Sequence, residues 1–436
     1  MEAGASIIGK VQGPLPAGRV PGLNLDLESF WAIADQGVVS LGNFLTTIIL
    51  ARALTPTAYG IWSVVFGLIL LLNVFPASLI TYPLSLRLAA SDDSGAGQIL
   101  MAALTLTALL ATPQILVLFF ASTLIANQGL GVSAGFCLLI WQLQETTRRA
   151  LMARLAFRTA LGTDMISYLG QAALVWLLAH YGHLSVEAAF GVIGLTCGLA
   201  AVAQLWFFRG TWRGKLNLRG HAHTFWSTGR WVLGSNLLAN FNIQAAPWAL
   251  FVLRGPVDAA AFQAISNLIG VSHPIMLSLG NFLVPAAARA RARQGLTAAR
   301  RVSLSLATQA GLLLLPLILL LLILPRPLLG LFYGAASTYV VLDWPLRLLA
   351  LTYVLTYWAM AIRFFLIAVE SKNRAQFLFE LCWSVLFVAL LIPLTLHWGL
   401  AGAIVATGLS QGAKLASNLV LMRQVQSNVR STDLIE

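Results

Sequence analysis

The sequence predicts an all-α integral membrane protein with about 12 transmembrane helices in two six-helix bundles. Three observations lead to this fold class: 58% of the 436 residues are hydrophobic, only 10% are charged, and the mean hydropathy is +0.82. A bilayer core of about 30 Å needs roughly 20 apolar residues per spanning helix, so the chain has room for many spans. The apolar run from Gly311 to Leu324 lacks the period-two alternation of a barrel strand, which favours helices.

Twelve hydrophobic stretches follow one another along the chain, with ends defined to within about two to four residues. They cover residues 29–50, 61–86, 99–121, 131–150, 164–181, 185–208, 230–253, 258–286, 302–324, 344–368, 375–396 and 398–422. The six spans of 29–208 make the predicted N-terminal bundle, and the six of 230–422 make the C-terminal bundle. Residues 209–229 are the longest hydrophilic interval and are predicted to be a basic cytoplasmic linker. Residues 1–28 and 423–436 are predicted cytoplasmic tails, and the first is expected to be flexible because it lacks a signal-peptide core.

The distribution of positive charge orients the predicted helices. An even number of spans places both termini on one side, and all but four of the 27 Lys and Arg residues fall on that side. The exceptions are Arg52, Arg254, Arg326 and Arg347. Because cytoplasmic loops retain Lys and Arg, both termini are predicted to be cytoplasmic. The net charge of +12 is therefore explained by topology, whereas nucleic-acid binding would need a clustered, exposed basic domain.

Several kinds of site are disfavoured by the sequence. Cys137, Cys197 and Cys382 all lie inside predicted spans and form neither a disulfide framework nor a metal set. His221 and His223 form an H-x-H pair without further ligands nearby, so we expect no metal and no other cofactor. A G-x-x-x-x-G-K-[ST] nucleotide loop is absent from the sequence. Energy coupling is therefore expected to come from a proton or sodium gradient or from the membrane potential.

Charged residues inside predicted spans are candidates for ion coupling, because an unpaired charge in the membrane is costly. Asp35, in the first span, is interpreted either as a proton or sodium site or as a headgroup-level carboxylate that favours the helix N-terminus. Glu145 forms an i,i+3 and i,i+4 set with Arg148 and Arg149, interpreted either as a local salt bridge or as part of a phosphate site at the inner mouth. Glu380 in the eleventh span is open to a coupling role or to an interhelical ion pair.

Four short motifs occur in order along the chain. They are Leu50-Ala51-Arg52 with Pro56 and Tyr59-Gly60 after the first span, Val284-Pro285 with Arg289 at the end of the eighth, Leu331-Phe332-Tyr333-Gly334 after the ninth, and His397-Trp398-Gly399 with Gly402 before the last. With these motifs, residues 31–425 resemble the polysaccharide exporters of the multidrug/oligosaccharidyl-lipid/polysaccharide (MOP) superfamily. Independently of any family, Pro56 and Gly60 suit a tight turn, and Gly399 and Gly402 suit close helix packing.

The resemblance implies a multi-pass flippase of the bacterial inner membrane rather than an enzyme. Its cargo would be a polyprenyl-diphosphate-linked oligosaccharide, a precursor of lipopolysaccharide or exopolysaccharide, delivered to polymerase and export machinery. Arginine suits an anionic cargo, because its planar fork binds phosphate oxygens. The candidate substrate-pathway residues are Arg52, Arg254 and Arg347 on the outer side, Arg87, Arg148 and Arg363 towards the inner mouth, and Asn240 and Asn242 on the seventh helix. The alternative for two of them is an i,i+4 ion pair, Arg254 with Asp258 and Arg347 with Asp343.

Two other functions compete with this interpretation. A drug or metabolite/cation antiporter of the same superfamily is disfavoured by the shortage of acidic residues inside the spans. A membrane-embedded polymerase or glycosyltransferase would need a sizeable extracytoplasmic loop for its catalytic groups, and the longest such connection here is only 325–343.

Overall fold

The computed structural model describes residues 27–91, 93–211, 217–369 and 373–432, which are helical apart from short connections and contain no β-strand. The helices of the first half are α1 (Leu27–Ala53), α2 (Pro56–Pro76), α3 (Tyr82–Ala89), α4 (Asp93–Ile125), α5 (Gln128–Ala153), α6 (Phe157–Asp164), α7 (Gly170–His180) and α8 (Val186–Phe207). Those of the second half are α9 (Leu218–Arg254), α10 (Pro256–Gly270), α11 (His273–Ile323), α12 (Pro325–Tyr333), α13 (Asp343–Ala368) and α14 (Asn373–Thr432). One π-helical turn, Ala77–Thr81, joins α2 to α3, and another, Met165–Leu169, joins α6 to α7.

The predicted all-α fold of twelve spans in two bundles is confirmed. Within the described ranges, eight helices are long and apolar enough to cross a membrane. Two of these, His273–Ile323 and Leu378–Val425, turn at Gly295 and Gly399 and therefore supply two passes each. The remaining two passes are α5 and α9, which fall outside that set of eight. These two more polar helices carry many of the candidate site residues.

The predicted span 258–286 is wrong as a continuous helix. Helix α10 ends at Gly270, and α11 begins at His273 after a two-residue turn. Pro274 explains the break, because proline has no backbone N–H to donate to the carbonyl four residues earlier, at Gly270. The hydroxyl of Ser272 donates a 2.6 Å hydrogen bond to the carbonyl of Ile269 at the turn.

Helix also extends into segments that the sequence predicted to be a linker and a tail. Helix α9 begins at Leu218, inside the predicted linker 209–229, because the side chain of Asn217 accepts a 3.0 Å hydrogen bond from the Gly220 N–H and caps the first turn. Phe225 in this extension is 2% exposed and packs with apolar residues of α3 to α5. Helix α14 likewise continues to Thr432. Residues 1–26 and 433–436 of the predicted tails lie outside the described residues.

Helix α2 joins the two bundles. In the N-terminal bundle, α1 packs against α6 and α7, and α5 packs against α4 and α8; in the C-terminal bundle, α13 packs between α11 and α14. Helix α2 packs on both α9 and α10. Helix α9 also lies close to the π-helical turn after α2, where glycine permits the approach: a Cβ at Gly229 would lie 2.4 Å from the carbonyl oxygen of Ser78. Helix α9 also contacts α14, so it has neighbours in both bundles.

Candidate functional site

A buried ion cluster lies inside the N-terminal bundle and is centred on Arg148 of α5. Its Nη2 atom lies 2.7 Å from Oδ2 of Asp35 on α1, and its Nε donates to Oδ2 of Asp164 at the end of α6. Nη1 lies 3.5 Å from Oε2 of Glu145, one turn earlier on α5. Asp35 and Asp164 are 1% and 0% exposed, so Arg148 ties three helices together within the bundle.

The cluster contains more negative than positive charge. Glu145 also pairs with Arg149 at 2.6 Å, which gives three carboxylates for two guanidinium groups. Asp35 and Asp164 both bind the guanidinium of Arg148, and Oδ1 of Asp35 is buried with no hydrogen-bond partner in the described parts of the chain. Gln144 donates a 3.4 Å hydrogen bond to Asp164.

The structure shows which contacts these candidate residues make. Asp35 is buried and ion-paired instead of lying free at the start of α1. The predicted local salt bridge of Glu145 with Arg148 and Arg149 is present. The sequence interpretation missed Asp164, although an acidic residue at the start of the predicted span 164–181 was a readable signal.

A second cluster lies in the C-terminal bundle and has the opposite balance. Glu380 of α14 pairs with Lys414 at 2.7 Å and lies 3.7 Å from Nη1 of Arg363 on α13. The interhelical pair considered for Glu380 is therefore present. Two cations share one carboxylate, and the side chain of Arg363 is 44% exposed while that of Lys414 is 12% exposed. This arrangement leaves an accessible guanidinium that can contact an anion.

The seventh-span amides bind mainly to other groups of the protein. Asn242 donates a 2.7 Å hydrogen bond to the hydroxyl of Ser384, next to the Glu380 cluster. Asn240 donates to the carbonyl of Asn236 on its own helix at 3.0 Å. Within the described residues, the side chain of Asn242 therefore links α9 to α14, whereas that of Asn240 binds within α9.

The outer arginines bind to carbonyl and carboxylate groups. Arg254 lies 3.5 Å from Asp258, which confirms that predicted pair. The predicted pair of Arg347 with Asp343 is wrong. Asp343 instead pairs with Arg326 at 3.1 Å, and Nε of Arg347 donates a 2.9 Å hydrogen bond to the carbonyl of Leu322.

The exchange of partners has a physical reason. Leu322 lies in the last turn of α11, where backbone carbonyls lack partners within the helix. Arg347 supplies such a partner, and a cation is also favoured at a helix C-terminus. Asp343, the first residue of α13, is then available to Arg326 at the start of α12.

Two further candidates lie at opposite ends of the N-terminal bundle. Arg52, in the last turn of α1, donates a 3.2 Å hydrogen bond to the carbonyl of Leu331. Arg87, in the last turn of α3, lies near His221, whose pKa is lowered by burial and then by this positive charge. Arg87 therefore lies beside a histidine, whereas Arg148 lies among carboxylates. Within the described ranges, no three His, Cys, Asp or Glu residues are arranged to hold a metal ion.

Two packed bundles of six membrane passes, joined along α2, α9 and α10, define the class of this protein: it has the fold of MOP-superfamily transporters. A MATE-family multidrug resistance transporter of that superfamily, in an inward-facing conformation, superposes with a TM-score of 0.75 at 14% identity, over 92% of this chain and 99% of the other. The lipid II flippase MurJ, in an inward closed conformation, gives 0.73 at 13% identity over 91% and 87%. An outward-facing MATE-family transporter gives 0.62 at 15% identity over 92% and 95%. No family model and no curated protein matches the sequence.

Proposed function

We propose that this protein moves a lipid-linked oligosaccharide from the cytoplasmic to the outer face of a bacterial inner membrane by alternating access. The cargo would carry a polyprenyl diphosphate, and polysaccharide polymerase and export machinery would act on it after transfer. The protein would break no covalent bond. Structural similarity to a lipid II flippase supports a lipid-linked cargo.

The observation that carries the proposal is how the charges inside the bundles are paired. Among the described residues, the four carboxylates of the two ion clusters are all paired with Arg or Lys: Asp35, Glu145, Asp164 and Glu380. The C-terminal cluster, in contrast, has a surplus cation in Arg363. An accessible guanidinium attracts a phosphate group and disfavours a cationic cargo. The charges therefore fit an anionic lipid diphosphate better than a cationic drug.

We further propose that the N-terminal cluster couples transport to an ion gradient. Asp35 and Asp164 share Arg148 and are almost inaccessible, so their surplus negative charge favours uptake of one proton. Release of that proton would require water to reach the cluster. A change in the relative position of the bundles would admit that water. A sodium ion is the alternative occupant, and a comparison of proton-driven with sodium-driven transport distinguishes them.

The test is transfer of a fluorescent polyprenyl-diphosphate oligosaccharide across proteoliposomes that contain the purified protein. We expect Arg363→Gln to slow transfer about tenfold, equivalent to about 1.4 kcal/mol. Arg423→Gln is the matched control, because Arg423 is exposed near the end of α14 and outside both ion clusters. Equal rates for Arg363→Gln and the wild type would contradict the role of this guanidinium, and the absence of transfer by the wild type would contradict the proposed cargo.

The competing function is cation antiport, which the negative surplus of the N-terminal cluster favours. An antiporter would expel a cationic dye from the same proteoliposomes when a pH gradient is imposed. We expect no gradient-dependent dye efflux. Efflux that is lost in Asp35→Asn would overturn the flippase assignment in favour of the antiporter.

A further inference from the structure

Two motifs that are far apart in the sequence meet at one end of the molecule. Arg52 follows the first span, and Leu331 belongs to the short helix α12 in the other bundle. The 3.2 Å hydrogen bond from Arg52 Nη2 to the Leu331 carbonyl joins them, and both groups are exposed. Nearby, the rings of Phe44 and Phe332 contact edge to face with centroids 5.4 Å apart. Helix α12 thus reaches from the C-terminal bundle onto α1.

A buried polar and aromatic contact lies beside this pair. Tyr59 of α2 is completely buried, and its hydroxyl accepts a 2.8 Å hydrogen bond from Nδ2 of Asn267 on α10. The ring of Tyr59 also meets that of Tyr339 at 6.3 Å, and Tyr339 meets Tyr333 at 5.2 Å. The hydroxyl of Tyr333 donates a 2.7 Å hydrogen bond to the carbonyl of Ala264, which fixes α12 on α10.

The backbones of the two bundles approach closely at the same end. A Cβ added at Gly60 would lie only 1.9 Å from the carbonyl oxygen of Pro256. Pro256 is the first residue of α10, and Gly60 is in the first turns of α2. Contacts from α1, α2, α10 and α12 therefore close the space between the bundles at this end.

We infer that these contacts form an outer latch, defined as Phe44, Arg52 and Tyr59 on one bundle and Asn267, Leu331, Phe332 and Tyr339 on the other. The latch closes the outer end in the described state and separates when cargo leaves; this role rests on the alternating access proposed above. Its bonds are few, and one of them is exposed to solvent. The hydroxyl of Tyr339 is buried with no hydrogen-bond partner among the described residues, which makes the closed arrangement less stable than its contact area suggests.

Because the Tyr339 hydroxyl has no partner among the described residues, substitutions of different latch residues are predicted to shift the latch in opposite directions. Removing the Arg52 donor or the Tyr59 hydroxyl takes away a bond between the bundles and should favour the open latch. Removing the Tyr339 hydroxyl takes away an unpaired buried polar group and should favour the closed latch. A purely structural role of these residues in folding would not produce changes of opposite sign in one accessibility measurement.

The experiment measures how fast an impermeant maleimide added outside intact cells labels Leu41→Cys. Leu41 lies one turn from Phe44 on the same face of α1, away from Arg52, and is 50% exposed. Cys382 is exposed and is replaced by Ala, whereas Cys137 and Cys197 are buried and stay. Thermal unfolding and gel filtration confirm that each variant is folded.

We expect slow labelling of Leu41→Cys from outside while the latch is closed. Arg52→Ala and Tyr59→Phe should each raise the outside rate about three- to tenfold, the effect expected for losing one hydrogen bond. Arg52→Lys should restore part of the closure, and Tyr339→Phe should lower the rate. Arg326→Ala is the matched control on the same end, because Arg326 pairs with Asp343 inside its own bundle.

The latch is contradicted if Arg52→Ala and Tyr59→Phe leave the outside rate unchanged, or if Arg326→Ala raises it equally. The labelling needs no cargo, so it separates this inference from the proposed function. Altered labelling without flippase activity would retain the latch and reject the cargo. Flippase activity with unaltered labelling would reject the latch alone.

Discussion

Arg148 contacts more carboxylates than any other candidate site residue of the described chain. Its guanidinium side chain is 6% exposed and touches three carboxylates from different parts of the bundle. Desolvating these charges is costly, and only their mutual contacts offset the cost. Removing the positive partner would leave Asp35 and Asp164 buried together without a counter-charge. We therefore expect substitution of Arg148 to destabilise the protein more than substitution of any other member of the cluster.

We predict that Arg148→Gln lowers the free energy of unfolding by about 3–5 kcal/mol, the usual cost of breaking a buried pair by removing one member. Arg149→Gln is the control, because Arg149 binds the same Glu145 but its side chain is 49% exposed. An exposed pair contributes only about 0–1 kcal/mol. Thermal unfolding in detergent would compare the two variants. Equal losses would show that Arg148 is not the buried centre of the cluster.

Asp164 permits a separate prediction about coupling. Asp164→Asn removes the surplus negative charge while leaving Arg148 paired with Asp35 and Glu145. The cluster then has no excess negative charge to attract a proton. We expect that a pH gradient no longer accelerates transport, while the protein remains folded. Asp258→Asn is the control, since Asp258 pairs with Arg254 outside the cluster. Proton-driven transport that persists in Asp164→Asn would exclude this cluster as the coupling site.

Side-chain partners could be predicted from the sequence only where the partner is local. The pairs Glu145 with Arg149 and Arg254 with Asp258 are i,i+4 neighbours, and helix geometry alone places them together. Arg347 and Asp343 have the same spacing, but their partners were determined by the end of α11 and by α12, which the spacing does not encode. The contact between Asp35 and Arg148 spans 113 positions and depends on how α1 packs.

At the scale of the helices, Gly42 controls how α1 packs on the π-helical turn that follows Asp164. A Cβ at Gly42 would lie 2.6 Å from Cβ of Tyr168 in that turn. The absence of a side chain lets the two backbones approach, and this approach brings Asp35 and Asp164 to the same guanidinium. The ion cluster therefore depends on a helix contact as well as on its charged members.

We predict that Gly42→Ala costs about 1–3 kcal/mol of stability, the usual cost of overpacking, and separates α1 from the cluster. Gly37→Ala on the same helix is the matched control, because a Cβ added at Gly37 would have no heavy atom within 4 Å among the described residues. There the change should be neutral or stabilising by up to about 1 kcal/mol, since alanine is the better helix former. Thermal unfolding measures both, and equal midpoints would contradict the packing argument.

The helices themselves were largely predictable because the length and hydropathy of a span are properties of local sequence. The break after Gly270 was not predicted as a helix end, although Pro274 supplies the local cause. The start of α9 at Leu218 was missed for a different reason. Polar composition suggested a linker, but the Asn217 cap and the burial of Phe225 stabilise helix there.

At the scale of the whole molecule, the two bundles carry clusters of opposite charge. The N-terminal cluster has three carboxylates for two guanidinium groups, and the C-terminal cluster has two cations for one carboxylate. Under the proposed function, the N-terminal cluster would take up the coupling cation and the C-terminal cluster would contact the anionic cargo. A relative movement of the bundles would then link proton release to transfer of that cargo.

The orientation of the whole chain gives the last prediction. All but four of the 27 basic residues fall on the side that we assign to the cytoplasm, and retention of Lys and Arg in cytoplasmic loops is the physical basis of that assignment. In the full-length Cys382→Ala background, an impermeant maleimide should label Ala336→Cys in intact cells. It should label Thr297→Cys, which follows the turn at Gly295, only after permeabilisation. Both positions are exposed, so a difference in labelling reports sidedness rather than burial. The reverse pattern would invert the topology and would place Arg52 and the outer latch at the cytoplasmic face.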